Sequence, residues 1–316
     1  MRRCSRAPGR QPGESRKDPA LPRAAYTTDM LVTRRQVLAL TATALAAQDR
    51  NANGPRPRVK PPICLDSEAL LKIGYDEMGG VLAMVGFDGA AIAVAPGAHV
   101  TPEHADLDLM RFVEALTGVG LEAAAISTPQ SFSPQDRSVR LALAVAGMMG
   151  VPLFVPGHSK SPAGMPRELA LLASIARQTG TAVGLAPEAA AALAPPGVDP
   201  LRLFDAKVVG YVFDPAYTTV HTGGDGCLAA LRAALPRLKM IAARDYAKPA
   251  DTDAAKLGPA RLGQGVVDWP GVLAVLAQAK YSGPITIYVD AASTDSLPAI
   301  RADLAFLKQA VTGAYG

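Results

Sequence analysis

One unit recurs along this chain from about residue 63 onward: a short β-branched or alanine-rich run, a loop, then a segment with apolar residues at helical spacing. The runs at 63–65, 90–94, 122–127, 152–155, 182–185, 210–213, 239–243 and 284–289 predict strands. The helical patterns fall near 70–85, 105–117, 134–149, 166–179, 200–204, 226–235, 270–280 and 297–311. Several open on start signals such as Ser133-Pro134 and Asp268-Trp269-Pro270. Eight strands alternating with eight helices in about 250 residues is the arithmetic of an α/β (β/α)8 TIM barrel. A doubly wound open sheet is the competing architecture, but no glycine-rich phosphate fingerprint follows the first strand. In a barrel the chemistry sits where strands end and βα loops begin. The polar residues at such places are His99, His158, Glu188, Asp214, Tyr217, Arg244, Asp245 and Asp290.

The chain upstream of the repeats has another character. Thr33-Arg34-Arg35-Gln36-Val37-Leu38 leads into an apolar run that closes on Ala44-Leu45-Ala46-Ala47. Paired arginines, a short apolar stretch and small residues at the exit read as a twin-arginine export signal. The run from Val37 to Ala47 is well short of the roughly 20 residues a membrane span needs. Residues 1–29 are rich in Arg, Pro and Gly without apolar period, which predicts disorder and makes Met30 the expected start. The expected organisation is therefore extension plus signal at 1–47, a Pro-rich linker at 48–62 and one barrel domain at 63–316. The expected location is the periplasm or beyond, with no membrane attachment once the signal is cleaved.

Charge follows the same division. Residues 1–47 hold nine Lys/Arg and three Asp/Glu, a net of +6; the rest has 23 basic and 25 acidic residues, a net of −2. The overall pI near 9.0 thus belongs to the leader and gives no case for a nucleic-acid partner. Beyond the leader only Cys64 and Cys227 remain, too few for a disulfide scaffold or a cysteine metal site.

Carboxylates gather at the predicted mouth. Phe213-Asp214-Pro215 ends the sixth strand, Arg244-Asp245-Tyr246 the seventh and Tyr288-Val289-Asp290 the eighth, while Glu188 follows the fifth. Converging hard oxygens of this kind suit Mg²⁺ or Mn²⁺, so Asp214, Glu188 and Asp290 are the candidate ligands. The competing account is that they cap helices or pair with Arg244, Lys248 or Lys256. Arg244 could clamp a phosphate or carboxylate, or simply pair with Asp245. His99, and His158 with Lys160 in Gly157-His158-Ser159-Lys160, are candidate substrate contacts. His104 and His221 read as surface residues.

Gly86-Phe87-Asp88-Gly89 and Pro96-Gly97-Ala98-His99-Val100-Thr101-Pro102-Glu103 resemble the early segment of sugar phosphate isomerase/epimerase proteins of the xylose-isomerase-like barrel superfamily. Leu262-Gly263-Gln264-Gly265-Val266-Val267-Asp268-Trp269, followed by Tyr281-Ser282-Gly283-Pro284, resembles its late segment, L-G-E-G-x-x-D-aromatic and Y-x-G-P. The resemblance implies a barrel that holds a divalent cation at the strand C-termini and moves a proton through an enediolate-like intermediate. It implies ligands at a glutamate after the fifth strand, an aspartate after the sixth, a histidine after the seventh and a glutamate after the eighth. A substrate-binding histidine often stands three residues beyond the aspartate.

Only the aspartate is matched directly, by Asp214. The histidine three residues on is Tyr217, the seventh-strand histidine falls at Ala242, and the L-G-E-G glutamate is Gln264. Glu188 stands one or two positions late. The last glutamate lands on Tyr288, with Asp290 two residues further on the same strand face.

The expected function is a sugar isomerase or epimerase that works by metal-assisted proton transfer, with Glu188 and Asp290 as acid/base groups. His99, His158, Lys160, Tyr217, Arg244 and Gln264 would contact the substrate. The export signal argues for an unphosphorylated carbohydrate. The alternative is a non-catalytic carbohydrate-binding barrel that has lost its metal site, which Ala242, Tyr217 and Tyr288 favour. A barrel endonuclease would need a histidine-rich metal cluster and a basic surface, and this chain has neither. Whether two barrels pair is left open by the sequence.

Overall fold

The computed structural model describes residues 60–128, 136–157, 165–186, 201–247, 257–289 and 295–316. They form a closed barrel of eight parallel strands with helices between them, the expected (β/α)8 architecture. Its strands are β1 (Ile63–Asp66), β2 (Gly89–Ala93), β3 (Glu122–Thr128), β4 (Leu153–Pro156), β5 (Ala182–Leu185), β6 (Val209–Phe213), β7 (Leu238–Ala243) and β10 (Ile285–Ile287). Cys64 pairs with both Gly89 and Thr286, so β1 closes the ring between β2 and β10. The outer helices are α1 (Tyr75–Val85), α2 (Leu107–Gly118), α3 (Arg137–Met148), α4 (Met165–Thr179), α5 (Pro215–Ala234), α6 (Trp269–Gln278) and α7 (Leu297–Tyr315). Among the described residues no helix is long and apolar enough to cross a membrane.

Strand alternation divides the apolar side chains into two cores. Ile63, Leu65, Ile92, Ile126, Phe154, Val183, Leu185, Phe213, Ile241 and Ile287 face outward and pack under the helices in one large cluster. Ala91, Ala125, Leu153, Val155, Val212, Met240 and Ala242 face inward and fill the barrel, with Tyr288 against them. The interior is thus a packed core and not a channel. Thr286, fully buried among these residues, donates to the Met240 sulfur at 3.2 Å.

Several element boundaries differ from the sequence expectation. The helix expected at 70–85 begins with a 3₁₀ turn at Ser67–Leu70 and becomes α-helical only at Tyr75. The helix expected at 226–235 begins at Pro215, because Asp214 caps it and proline at the first position is preset for helix. Gly223, at φ 76°, kinks it midway. The short helix expected at 200–204 is a turn over its described residues 201–204. A two-stranded hairpin, β8 (Asp245–Ala247) with β9 (Gly258–Ala260), follows β7 and gave too short a pattern to be read in the sequence.

The Leu262–Trp269 motif owes its form to one carboxylate. Asp245, 2% exposed, accepts from the amides of Gly263 (3.1 Å), Gly265 (3.3 Å) and Val267 (3.2 Å) and from the indole N–H of Trp269 (3.2 Å). Asp245 is therefore the anchor of this loop and not the partner of Arg244, which corrects the adjacent-pair expectation. Gly263 needs glycine for its φ of +79° and because a Cβ there would meet the Phe306 ring. At Gly265 a Cβ would overlap the Asp245 carboxyl. Gly265→Ala is accordingly expected to destabilise the barrel by about 2 kcal/mol or more, since the carboxylate cannot retreat without releasing its amides. Urea unfolding checks this; a change below about 0.5 kcal/mol would contradict the crowding.

Candidate active site at the barrel mouth

Strand alternation decides which side chains stand at the C-terminal mouth. Outward-facing Leu65, Phe213, Ala243 and Ile287 are each followed by an inward position, occupied by Asp66, Asp214, Arg244 and Tyr288. Below this layer the barrel interior is apolar apart from Thr286, so these four form its polar ceiling.

Asp214 has two tasks. Its Oδ1 accepts from the Tyr217 amide at 2.9 Å, capping α5, and its Oδ2 lies 3.1 Å from Arg244 Nε. The second contact is an ion pair and not an aligned hydrogen bond. The Arg244 guanidinium also lies 4.7 Å over the centre of the Tyr288 ring, and the Tyr246 side chain acts on its charge as well. Burial opposes its charge, yet Asp214, with the two tyrosines, holds its pKa above the ordinary value. With 37% of its side chain exposed, the guanidinium is fixed below and open to the mouth.

Asp66 is the group that the sequence reading missed. The expected first strand stopped at residue 65; the observed one ends on Asp66, which is 4% exposed. Its Oδ1 accepts from the Glu68 amide at 3.0 Å. Burial first, then the charge of Glu68, push its pKa up to about 7, against the lowering effect of that amide and of Arg244. The Tyr288 hydroxyl is raised by burial and by the neighbouring Asp66 carboxyl. Its strand-end position was the available signal, because the rule that picked out Asp214 applies equally to the residue closing the first strand.

The other expected site residues separate into groups. His99 packs edge-on against Phe112, and its Nε2 lies 2.8 Å from the Ile73 carbonyl and 3.1 Å from that of Leu70. It thereby braces the loop after β1, beside half-buried Glu68. Tyr217 is partly buried and its ring lies 4.1 Å from that of His221, near the start of α5. Gln264 is exposed on the turn anchored by Asp245. Glu188, Asp290, His158 and Lys160 lie outside the described residues, as do Lys248 and Lys256. A cavity of about 540 Å³ lies at the opposite end, lined by Pro62, Asp88 and Glu122 at strand starts and by Lys308 of α7.

The described residues do not fit a divalent cation. A permanently charged guanidinium stands beside Asp214, where a metal would need that carboxylate. Ala242, at the position of the implied histidine ligand, is 3% exposed and packs in the apolar interior. Among the described residues no three His, Cys, Asp or Glu side chains form a group able to hold a metal.

Residues 81–310 match the family described as xylose isomerase-like TIM barrel, and the chain belongs to that family. Among solved structures, a xylose isomerase-like TIM barrel protein from Mycobacterium smegmatis in complex with magnesium is 18% identical, with a TM-score of 0.60 over 81% of this chain and 98% of that one. A xylose isomerase domain protein from Planctomyces limnophilus is 21% identical, with a TM-score of 0.58 over 81% and 97%. A D-allulose 3-epimerase from Methylomonas sp. is 19% identical, with a TM-score of 0.55 over 79% and 98%. At these identities the likeness carries the fold. Comparison with curated proteins gives no match.

Proposed function

We propose that the mouth of this barrel binds an unphosphorylated carbohydrate and isomerises or epimerises it by proton transfer, outside the cytoplasm. The observation that carries the reading is the polar ceiling of Asp66, Asp214, Arg244 and Tyr288 over an otherwise apolar barrel interior. Carboxylates accept from sugar hydroxyls, a guanidinium donates to them, and an aromatic ring offers an apolar face to sugar C–H groups. Structural relatives that are sugar epimerases or epimerase-like proteins support the substrate class. The paired arginines before residue 47 support the location, and they weigh against sugar phosphates. His99, His158, Lys160, Tyr217 and Gln264 remain the proposed substrate contacts, with Glu188 and Asp290 as further acid/base groups.

The second reading is a non-catalytic carbohydrate-binding barrel, favoured by Ala242 and by the Arg244–Asp214 pair in place of a metal site. Calorimetric titration of the full chain with D-tagatose, D-psicose and Mn²⁺ tests both. A neutral ketohexose is expected to bind in the millimolar range or tighter, about −4 kcal/mol or better, and Arg244→Met to weaken it. No heat with either sugar would sink the carbohydrate reading. Stoichiometric Mn²⁺, lost on Asp214→Ala, would establish the metal-assisted form.

A further inference from the structure

We propose that Asp66 is the proton-carrying group of this site, and that Arg244 holds the oxygen on which negative charge develops, so that the chemistry needs no bound divalent cation. The inference rests on the catalytic reading above and assigns its parts.

Three observations converge. Asp66 is inward-facing in the ceiling layer, and only its Oδ1 is tied, to the Glu68 amide. Its Oδ2 has no hydrogen-bond partner among the described residues. An acid/base carboxyl needs such a free oxygen, held in a fixed direction by the other one. The charged and titratable groups around it are Glu68 on its own segment, Arg244 just after β7 and Tyr288 just after β10, with Asp214 just after β6 paired to Arg244. This setting leaves the carboxyl able to take or give a proton near neutral pH.

Arg244 supplies the electrophile. The Asp214 ion pair and the Tyr288 ring fix its guanidinium from below and beside, so donors facing the mouth are preorganised. A metal does the same work elsewhere by charge; here a cation that cannot dissociate occupies that electrostatic place.

The step balances without a further reactant. The Asp66 carboxylate removes the proton from the hydroxyl-bearing carbon next to the sugar carbonyl. That C–H pair becomes the C=C bond as the carbonyl pair moves onto oxygen, giving an enediolate held by the Arg244 N–H groups. Return of the proton from Asp66 to the neighbouring carbon, with the hydroxyl proton passing between the two oxygens, gives the isomeric sugar.

Deuterium wash-in from D₂O, followed by proton NMR on D-fructose, D-tagatose and D-psicose with EDTA present, tests this on the full chain. The wild type is expected to exchange the proton next to the carbonyl of at least one of these sugars. Asp66→Asn should lower that rate at least a hundredfold while changing sugar affinity less than fivefold, and Asp66→Glu should restore part of it. Arg244→Met should also lower the rate at least a hundredfold. Wild-type rates in Asp66→Asn, or exchange abolished by EDTA and restored by Mn²⁺, would overturn the assignment and leave the catalytic reading standing. A wild type that binds the sugars but exchanges none would overturn both.

Discussion

Asp245→Ala is expected to destabilise the protein by about 3–5 kcal/mol. The carboxylate is 2% exposed and satisfies three loop amides and the Trp269 indole, and its Oδ1 accepts from Tyr246 at 3.0 Å as well. Each buried donor left without an acceptor costs about 1–3 kcal/mol, reduced where water can enter. The Val267 amide and the Trp269 N–H are buried and have no such recourse. The damage should reach the mouth, because Arg244 immediately precedes this residue and draws its orientation from the same strand end. Asp245→Asn keeps one acceptor oxygen and should lose about half as much. Urea unfolding measures both; a loss under about 1 kcal/mol for the alanine variant would show that the loop does not depend on this anchor.

The second large effect has the opposite sign. Asp66→Asn should stabilise the protein at pH 8 by about 3–4 kcal/mol and change little near pH 4. Folded Asp66 holds its proton up to about pH 7, whereas the ordinary value is 3.8. The folded state therefore binds more protons than the unfolded chain between those values. The stability linked to this group is fully present below pH 3.8 and is lost as the pH rises to about 7. Each pH unit of that interval corresponds to about 1.4 kcal/mol. Asparagine removes the buried charge and with it the pH dependence. For a barrel of this size the gain should raise Tm at pH 8 by roughly 6–15 °C. An equal or lower Tm at pH 8 would show that Asp66 is ionised in the folded protein at no cost. Stabilisation on removing a site carboxyl, together with loss of exchange, is the signature of a group retained for chemistry.

How much was legible beforehand depended on the kind of signal. The strand runs at 90–94 and 182–185 and the helices at 166–179 and 270–280 fell within a residue or two of the observed elements, because apolar period is a local property of the chain. The start of α5 was misplaced by eleven residues, since polar Thr218, Thr219, His221 and Thr222 gave no apolar stripe while the Asp214 cap and Pro215 set the helix. Asp214 was identified from its strand-end position, and Asp66 was passed over by one residue of strand boundary.

The sequence by itself determined the barrel and the family. Alternation of strand and helix patterns, the late Leu262–Trp269 run and the strand-end position of Asp214 are all readable along one dimension. The partnerships at the mouth were decided only by the closed barrel. Arg244 reaches Asp214 across β6 and β7 while its sequence neighbour Asp245 turns to the loop, because successive side chains on a strand point to opposite faces. Asp66 and Tyr288, 222 residues apart in the chain, become neighbours where β1 closes against β10. Burial in that shared layer raises the Asp66 pKa, and burial is a property of what surrounds a residue, which no local pattern records.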